Sequence, residues 1–391
     1  MSSSNIAELT NALPELVAFR RDLHAHPELG LEEKRTSEVI ARELDALGYT
    51  VTRGLANTGI VATLTNGSGN RSIGIRADID ALPIVEETGL SYASRTPGLM
   101  HACGHDGHTT MLLGAARALA ARRNFDGTVH LIFQPAEENF GGAKIMIEEG
   151  LFGRFDCDAV FALHNEPNLP LGQFAFRDGP IMAAVDEAHI TVKGRGGHGA
   201  EPQDTADPVV AAASIVMALQ TIVSRNLHPL DPAVVTVAAI HGGSASNIIP
   251  SNVDVTVGIR SFDPATRDEL QRRIELIAAR QAESYGVTAN VRYERSYDPT
   301  FNHKAETDFA RDVATRFAGA EKVSELARPF MGSEDFGYML AERPGTYFFL
   351  GGAGQGPNHP LHHPGYDFND DLIPIGAAFW TELAETYLRK A

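Results

Sequence analysis

Apolar residues recur at helical spacing from Ile6 to His24 and again from Arg35 to Leu47, where Gly48 stops the run. The pattern then changes period. GIVATL (Gly59 to Leu64) and SIGIRAD (Ser72 to Asp78) read as strands on either side of the turn NGSGN. Beyond the run HACGHDGH (His101 to His108), TTMLLGAARALAAR predicts a helix and TVHLIF (Thr128 to Phe133) a strand. A helical turn near Gly142 to Glu149 then precedes the strand AVFALH (Ala159 to His164). Strands alternating with helices predict an α/β sheet with helices on both faces.

Around Asp186 the texture changes. AHITVKGRGGHGAEP (Ala188 to Pro202) reads as a strand followed by a glycine-rich loop. A long helix from Pro208 to about Ser224 follows, with Asp207 as its N-cap and Pro208 at the first helical position. Then come the strands AVVTVAAI (Ala233 to Ile240) and VDVTVGIRSF (Val253 to Phe262), a helix from about Pro264 to Tyr285, and the strand TANVRYERS. The order β-α-β-β-α-β is that of a ferredoxin-like sandwich. Residues 186–296 are therefore expected to form a small α+β domain inserted into a larger one built from residues 1–185 and 297–391, which closes with a helix from Ile373 to Leu388. Neither an internal repeat nor a low-complexity tract is visible.

Composition narrows the function classes. A chain of 391 residues is long for one core, so two domains are the prior. The 43% hydrophobic and 21% charged content are those of a soluble globular protein. No apolar run approaches the roughly 20 residues that span a bilayer, and the N-terminal stretch lacks the basic and apolar regions of a secretory signal. A formal net charge of −17 argues against nucleic acid or an anionic membrane as partner. There are two cysteines, Cys103 and Cys157, and nothing else points to an oxidising compartment, so a cytoplasmic location is expected.

The candidate chemistry sits at strand ends. Cys103 and His105 lie in HACGHDGH, Glu137 and Glu138 close QPAEE just after a strand, His164 ends another, and His362 lies in PLHHPGYDFND. Thiolate, imidazole and carboxylate donors beside an adjacent glutamate pair make a metal site in which one carboxylate holds metal and the other is free to move a proton. Such a set suggests a hydrolase whose water is activated by metal. In open α/β sheets, sites form beyond the carboxyl ends of the strands; Asp78 and Asp80, Glu137 and Glu138, and His164 all obey that rule. Taken singly, Cys103 reads as a small buried hydrophobe and His164 as a satisfied polar residue; the ensemble changes that reading. Asp80, in RADIDALP, suits a carboxylate that receives the second ring N–H of a metal-bound histidine. Asp78 could share that task, Asp106 is a weaker candidate, and both aspartates after the strand could instead merely cap a loop. Cys157 has no ligand-like neighbours and reads as packing.

HACGHDGH, IRADIDALP, FQPAEE, LHNEP, GRGGHGAEP, NIIPS, GIRSFD, MGSEDF and HHPGYDFND together resemble the metal-dependent amidohydrolase/peptidase family of hippurate hydrolases, indole-acetyl-amino-acid hydrolases, aminoacylases and carboxypeptidase G. The likeness runs through nearly the whole chain in order. It is closest to the hippurate-hydrolase branch, which has Cys where other branches place a bridging Asp. The resemblance implies a mixed, mostly parallel zinc-exopeptidase-like sheet with an inserted lid and dimerisation domain. It implies two divalent ions (zinc, manganese, nickel or cobalt) held by Cys103, His105, Glu138, His164 and His362, with Glu137 as catalytic base. It gives His198 an oxyanion role and Asn247 and Arg260 the substrate carboxylate, in a homodimer or dimer-based homo-oligomer acting on N-acyl-L-amino acids. His101, His108 and His363 receive no ligand role, although His362 and His363 could exchange places. Glu334 is a weaker site candidate. Glu166, in LHNEP after His164, stands where the family more often has an apolar or small residue and could disfavour acidic substrates.

Three competing readings remain at this stage: a metallo-dipeptidase or carboxypeptidase, a thiol hydrolase with Cys103 as nucleophile and His105 as base, and a non-catalytic binding protein. The thiol mechanism has no use for the glutamate pair or the two further histidine segments. A binding protein would be expected to have lost ligands or the base, and every matched position is intact. The acyl group is not fixed by these motifs.

Overall fold

The computed structural model describes residues 3–354 and 358–389, with side chains from residue 12 onward. The chain divides into two compact units, Met1–Ile181 with Thr300–Pro329 and Glu334–Ala391, and Met182–Pro299 with Phe330–Ser333.

The first unit is built on an eight-stranded sheet. Its order is Thr50–Leu55, Gly59–Asn66, Gly127–Gln134, Ser72–Asp78, Ala159–Pro170, Gly345–Ala353, Phe174–Phe176 and Val323–Glu325. The four strands from Gly127–Gln134 to Gly345–Ala353 run parallel to one another, whereas the first three strands of that order pair antiparallel. The sequence of Ser72–Asp78 shows why the sheet is both stable and functional. Ile73, Ile75 and Ala77 alternate into the main apolar cluster, and the intervening Arg76 and Asp78 are buried on the opposite side of the strand. A strand this deeply covered belongs to a sheet with helices over it.

Helix His105–Arg122 packs against helices Leu372–Tyr387 and Ser3–His24. It begins four residues ahead of the predicted TTMLL, because the Gly104 carbonyl accepts the His108 N–H (3.0 Å) and draws the HACGHDGH motif itself into the first turn. Low helix propensity at Gly, His and Asp conceals that start in the sequence.

The second unit carries a four-stranded antiparallel sheet in the order Ala233–His241, Asn252–Ser261, Ala184–Lys193, Thr288–Tyr297. Two helices connect the strands, Pro208–Leu219 and Pro264–Ser284. Asp207 caps the first by accepting the Val209 N–H (2.8 Å), and Asp263 caps the second through Thr266 N–H (2.8 Å). Leu270, Ile274, Ala278 and Ala282 recur every fourth residue and are buried with Val255, Val257 and Ile259 in a core of this unit's own. The first of these helices is shorter than the sequence suggests, and the chain continues as a π turn over Ile222–Asn226. The unit also reaches beyond 186–296: its strands begin at Ala184 and end at Tyr297, and Phe330 bridges to Met182.

Candidate metal centre

Parallel strands bring their carboxyl ends to one edge of the first unit. Asp78 is in register with Gln134, and Ala77 with Phe133, so Asp78 to Asp80 and Pro135 to Glu138 leave the sheet side by side. His164 lies on the next strand, paired with Phe349. Cys103 and His105 meet this edge at the start of helix His105–Arg122, and the backbone N–H of His362 donates to the Ala102 carbonyl (2.8 Å), tying the last ligand segment to the HACGHDGH run.

Among the described residues five groups of three possible ligands have their donor atoms within 4.8 Å of one another; two contain Cys103, one with His105 and His164 and the other with Glu138 and His362, and the remaining three are Asp78–His105–His108, His105–Glu137–Glu138 and Glu137–Glu334–Asp335. The Cys103 Sγ lies 3.3 Å from His164 Nε2, while His164 Nδ1 donates to the Asn165 carbonyl (2.7 Å), which leaves Nε2 as the free lone pair. His105 Nδ1 donates to Asp80 Oδ1 (3.1 Å), and Asp80 Oδ2 accepts the Glu138 N–H (3.0 Å). One aspartate thus orients two of the candidate ligands, the arrangement that aims a metal-bound imidazole.

Whether these residues suit a cation is tested by their unmatched atoms. His105 Nε2 and Glu138 Oε1 are both buried without a hydrogen-bond partner. His362 Nε2 lies 3.2 Å from Glu138 Oε1, yet the two are not aligned for a hydrogen bond. Buried donor atoms close together without a hydrogen bond are what a cation site offers, and a soft thiolate with imidazoles and a carboxylate suits a borderline divalent metal. The residues fit.

Electrostatics point the same way. Burial, followed by the charges of Glu138, Glu137 and Asp78, pushes the Cys103 thiol well above its ordinary range. A thiolate there needs a cation beside it. Burial opposes the charge on His105, but Asp78, Asp80 and Glu138 overcome it and raise the imidazole to about 10. Glu137 is raised well above the usual carboxylate range by burial and then by Glu334, Glu138 and Asp335, with Arg76 opposing.

Behind the cluster lies a fully buried charged network. Arg76 donates to Asp78 (2.7 Å), Glu334 (2.9 Å), Asp335 (3.1 Å) and Gln134 (2.7 Å), and Gln134 and the Ala143 N–H also hold Asp335. Asp78 receives His108 Nδ1 (2.6 Å), and Glu137 shares a carboxylate cluster with Glu334 and Asp335. Arg76 and Asp335 were not singled out from sequence, though a charge in the middle of an otherwise apolar strand was a usable signal. Asp106 instead faces Arg20 (3.3 Å) and His24 (2.9 Å), a group that also includes Asp367 and Asp370. Nothing local in the sequence marks that group.

The remaining candidates lie as follows. His363 Nδ1 accepts the Gly365 N–H (2.9 Å) and its ring stacks on His359, so His362 is the one of the pair directed at Glu138. Glu166 accepts the backbone and side-chain N–H of Asn168 (both 2.9 Å). His198, Asn247 and Arg260 belong to the second unit. His198 is exposed on the short strand Gly197–His198, which pairs with Ile248–Ile249, and the Asn247 carbonyl accepts the Gly199 N–H (2.8 Å), so these two share one corner of that unit. Arg260 is half-buried and donates to its neighbouring Ile259 carbonyl (2.9 Å), while Arg267 takes the nearby Asp186.

Comparison with known proteins agrees with this geometry. The model of peptidase family M20/M25/M40 matches residues 74–386. The hippurate hydrolase of Campylobacter jejuni is 40% identical over 384 residues, covering 98% of this chain and 99% of that protein. The N-acetyl-L-cysteine deacetylase of Bacillus subtilis is 39% identical, covering 98% and 91%. Among solved structures, the Bacillus subtilis YXEP protein, described as a dinuclear metal binding peptidase from the M20 family, superposes with a TM-score of 0.84 at 32% identity, covering 97% of this chain and 99% of that one. A family model spanning most of the chain, and relatives matched along nearly their full length, place this hydrolase in peptidase family M20/M25/M40.

Proposed function

We propose that the chain hydrolyses the amide bond of N-acyl-L-amino acids, releasing a carboxylic acid and a free amino acid. Two divalent ions would be held by Cys103, His105, Glu138, His164 and His362. The observation that carries this reading is the pair of donor sets sharing Cys103, with buried His105 Nε2 and Glu138 Oε1 left unmatched. When bound, such ions acidify water and polarise an amide carbonyl. Glu137 takes the proton from the attacking water and returns it to the departing amine. Asp80 keeps His105 and the Glu138 backbone in place.

His198, Asn247 and Arg260 are proposed to contact substrate, His198 at the developing oxyanion and the other two at the carboxylate. Among the described residues Arg260 makes no ion pair, so its guanidinium is available for a bidentate carboxylate contact. The names of the two sequence relatives support substrates in which an acyl group is joined to an amino acid. Dipeptides are the second reading, favoured by the peptidase description of the solved relative. A thiol mechanism is disfavoured, because burial and the neighbouring carboxylates hold the proton on Cys103 and such a mechanism has no use for the glutamate pair.

The test is a metal-reconstituted panel of N-benzoyl, N-acetyl and other N-acyl amino acids with dipeptides alongside, read by free amine release. Chelation is expected to abolish turnover, and manganese, zinc, nickel or cobalt to restore it. Full turnover in protein shown by elemental analysis to be metal-free would sink the proposal, and so would cleavage of dipeptides alone as regards its substrate.

A further inference from the structure

Glu33 lies immediately before helix Lys34–Ala46 and is fully buried, yet it does not cap that helix with its side chain. It reaches instead to the QPAEE corner. One carboxylate oxygen accepts the backbone N–H of Ala136 (2.9 Å) and the other accepts the Thr58 hydroxyl (2.6 Å). Ala136 is the residue before Glu137, and its φ of +53° is a left-handed conformation that an alanine seldom adopts. A backbone held this way persists when its surroundings over-determine it.

The surroundings do. The Ala136 carbonyl accepts the Gly142 N–H (3.0 Å). Any side chain at Gly142 would collide with the Pro135 carbonyl, and one at Gly30 would press on Ala136, so both glycines are needed for the close approach. Asp80 independently holds the Glu138 N–H (3.0 Å). The corner is pinned at successive residues, and Glu33 supplies the only side-chain acceptor for Ala136 among the described residues.

We propose that Glu33 is a positioning residue for Glu137: by accepting the Ala136 N–H it fixes the left-handed turn from which the Glu137 side chain departs. This inference rests on the reading of Glu137 as the proton acceptor. Burial raises the Glu33 carboxyl to about 7, so it is an acid that need not carry charge to do this work. Protonated or not, it keeps an oxygen for Ala136. A glutamine does the same, its carbonyl accepting from Ala136 and its amide donating to Thr58.

The full-length enzyme, saturated with manganese and assayed on the best substrate of the panel above, provides the test. E33A is expected to lose about ten- to a hundred-fold in kcat with KM changed by less than about three-fold, since a displaced catalytic group costs turnover more than binding. E33Q is expected to restore kcat to within about three-fold of wild type. Metal content per chain should stay at the wild-type level in both, because Glu138 keeps its own tie to Asp80. Should E33A fail to fold, E33D decides, since it keeps the carboxyl group but withdraws its oxygens by one methylene and is expected to lose kcat in the same direction. Wild-type kcat in folded E33A or E33D, a loss in E33Q equal to that in E33A, or metal loss in proportion to turnover would each overturn the inference. E137Q is measured in parallel. If it keeps full turnover, the base assignment falls and this inference with it; if it is inactive while E33A is not, only the role of Glu33 falls.

Discussion

Glu137 and Glu138 are sequence neighbours in opposite electrostatic settings. Burial works against ionisation of both. At Glu138 the imidazoles of His362 and His105 prevail and hold the carboxyl below its ordinary range, whereas at Glu137 the acids Glu334, Glu138 and Asp335 add to the burial and raise it. This difference is in keeping with the proposed roles, Glu138 as the ligand and Glu137 as the proton acceptor. Glu137→Gln is therefore expected to cut turnover by about a hundred-fold or more while metal content stays near wild type. Glu138→Gln should instead lower metal occupancy, as elemental analysis would show. The reverse pattern would mean the roles are exchanged. In the sequence the division of roles came only from the family resemblance: the electrostatic difference between the two glutamates depends on His362, Glu334 and Asp335, which lie about two hundred residues further along the chain and leave no mark near QPAEE.

At the scale of elements, the local signals were faithful where one strand or helix determined its own pattern. SIGIRAD is a strand over Ser72–Asp78, and Asp207 and Asp263 cap the helices they precede. The central strand Gly345–Ala353 was not anticipated, because its buried run of aromatic and glycine residues lacks alternation. The charged joint between helix Ser3–His24, helix His105–Arg122 and the segment after His362 was also invisible. It is made of Arg20, His24, Asp106, Asp367 and Asp370, and its members have no periodic relation. His24 carries a testable consequence. Burial opposes its charge, but Asp106 and Glu86 raise it from 6.5 to about 9. A histidine pKa raised by folding contributes stability that is complete below pH 6.5 and is lost as the pH climbs through about 9. The wild type should thus lose at most on the order of 3 kcal/mol across that window. His24→Gln should be less stable at pH 6 and should show a flatter profile above it in urea titrations. Parallel profiles for the two proteins would show that His24 does not ionise in that range.

For the whole molecule, two apolar cores and candidate ligand clusters confined to one of the two units predict unequal responses to metal. All the clusters found among the described residues lie in the first unit. Binding to the folded form alone adds about 2.7 kcal/mol at a hundred-fold excess over Kd, which shifts a unit of this size by roughly 5–10 °C. Calorimetry before and after exhaustive chelation should move the transition of the larger unit and leave that of the smaller one in place. Equal shifts, or none, would contradict this. The candidate ligands also come from widely spaced parts of the chain, Cys103 at one extreme and His362 at the other, with the sequence of the whole second unit between them. During synthesis, the thiol and the first imidazoles emerge long before the partner that completes the second donor set. Under the proposed reading a nascent chain therefore presents the Cys103, His105 and His164 donors first, and the set with Glu138 is complete only once His362 has emerged.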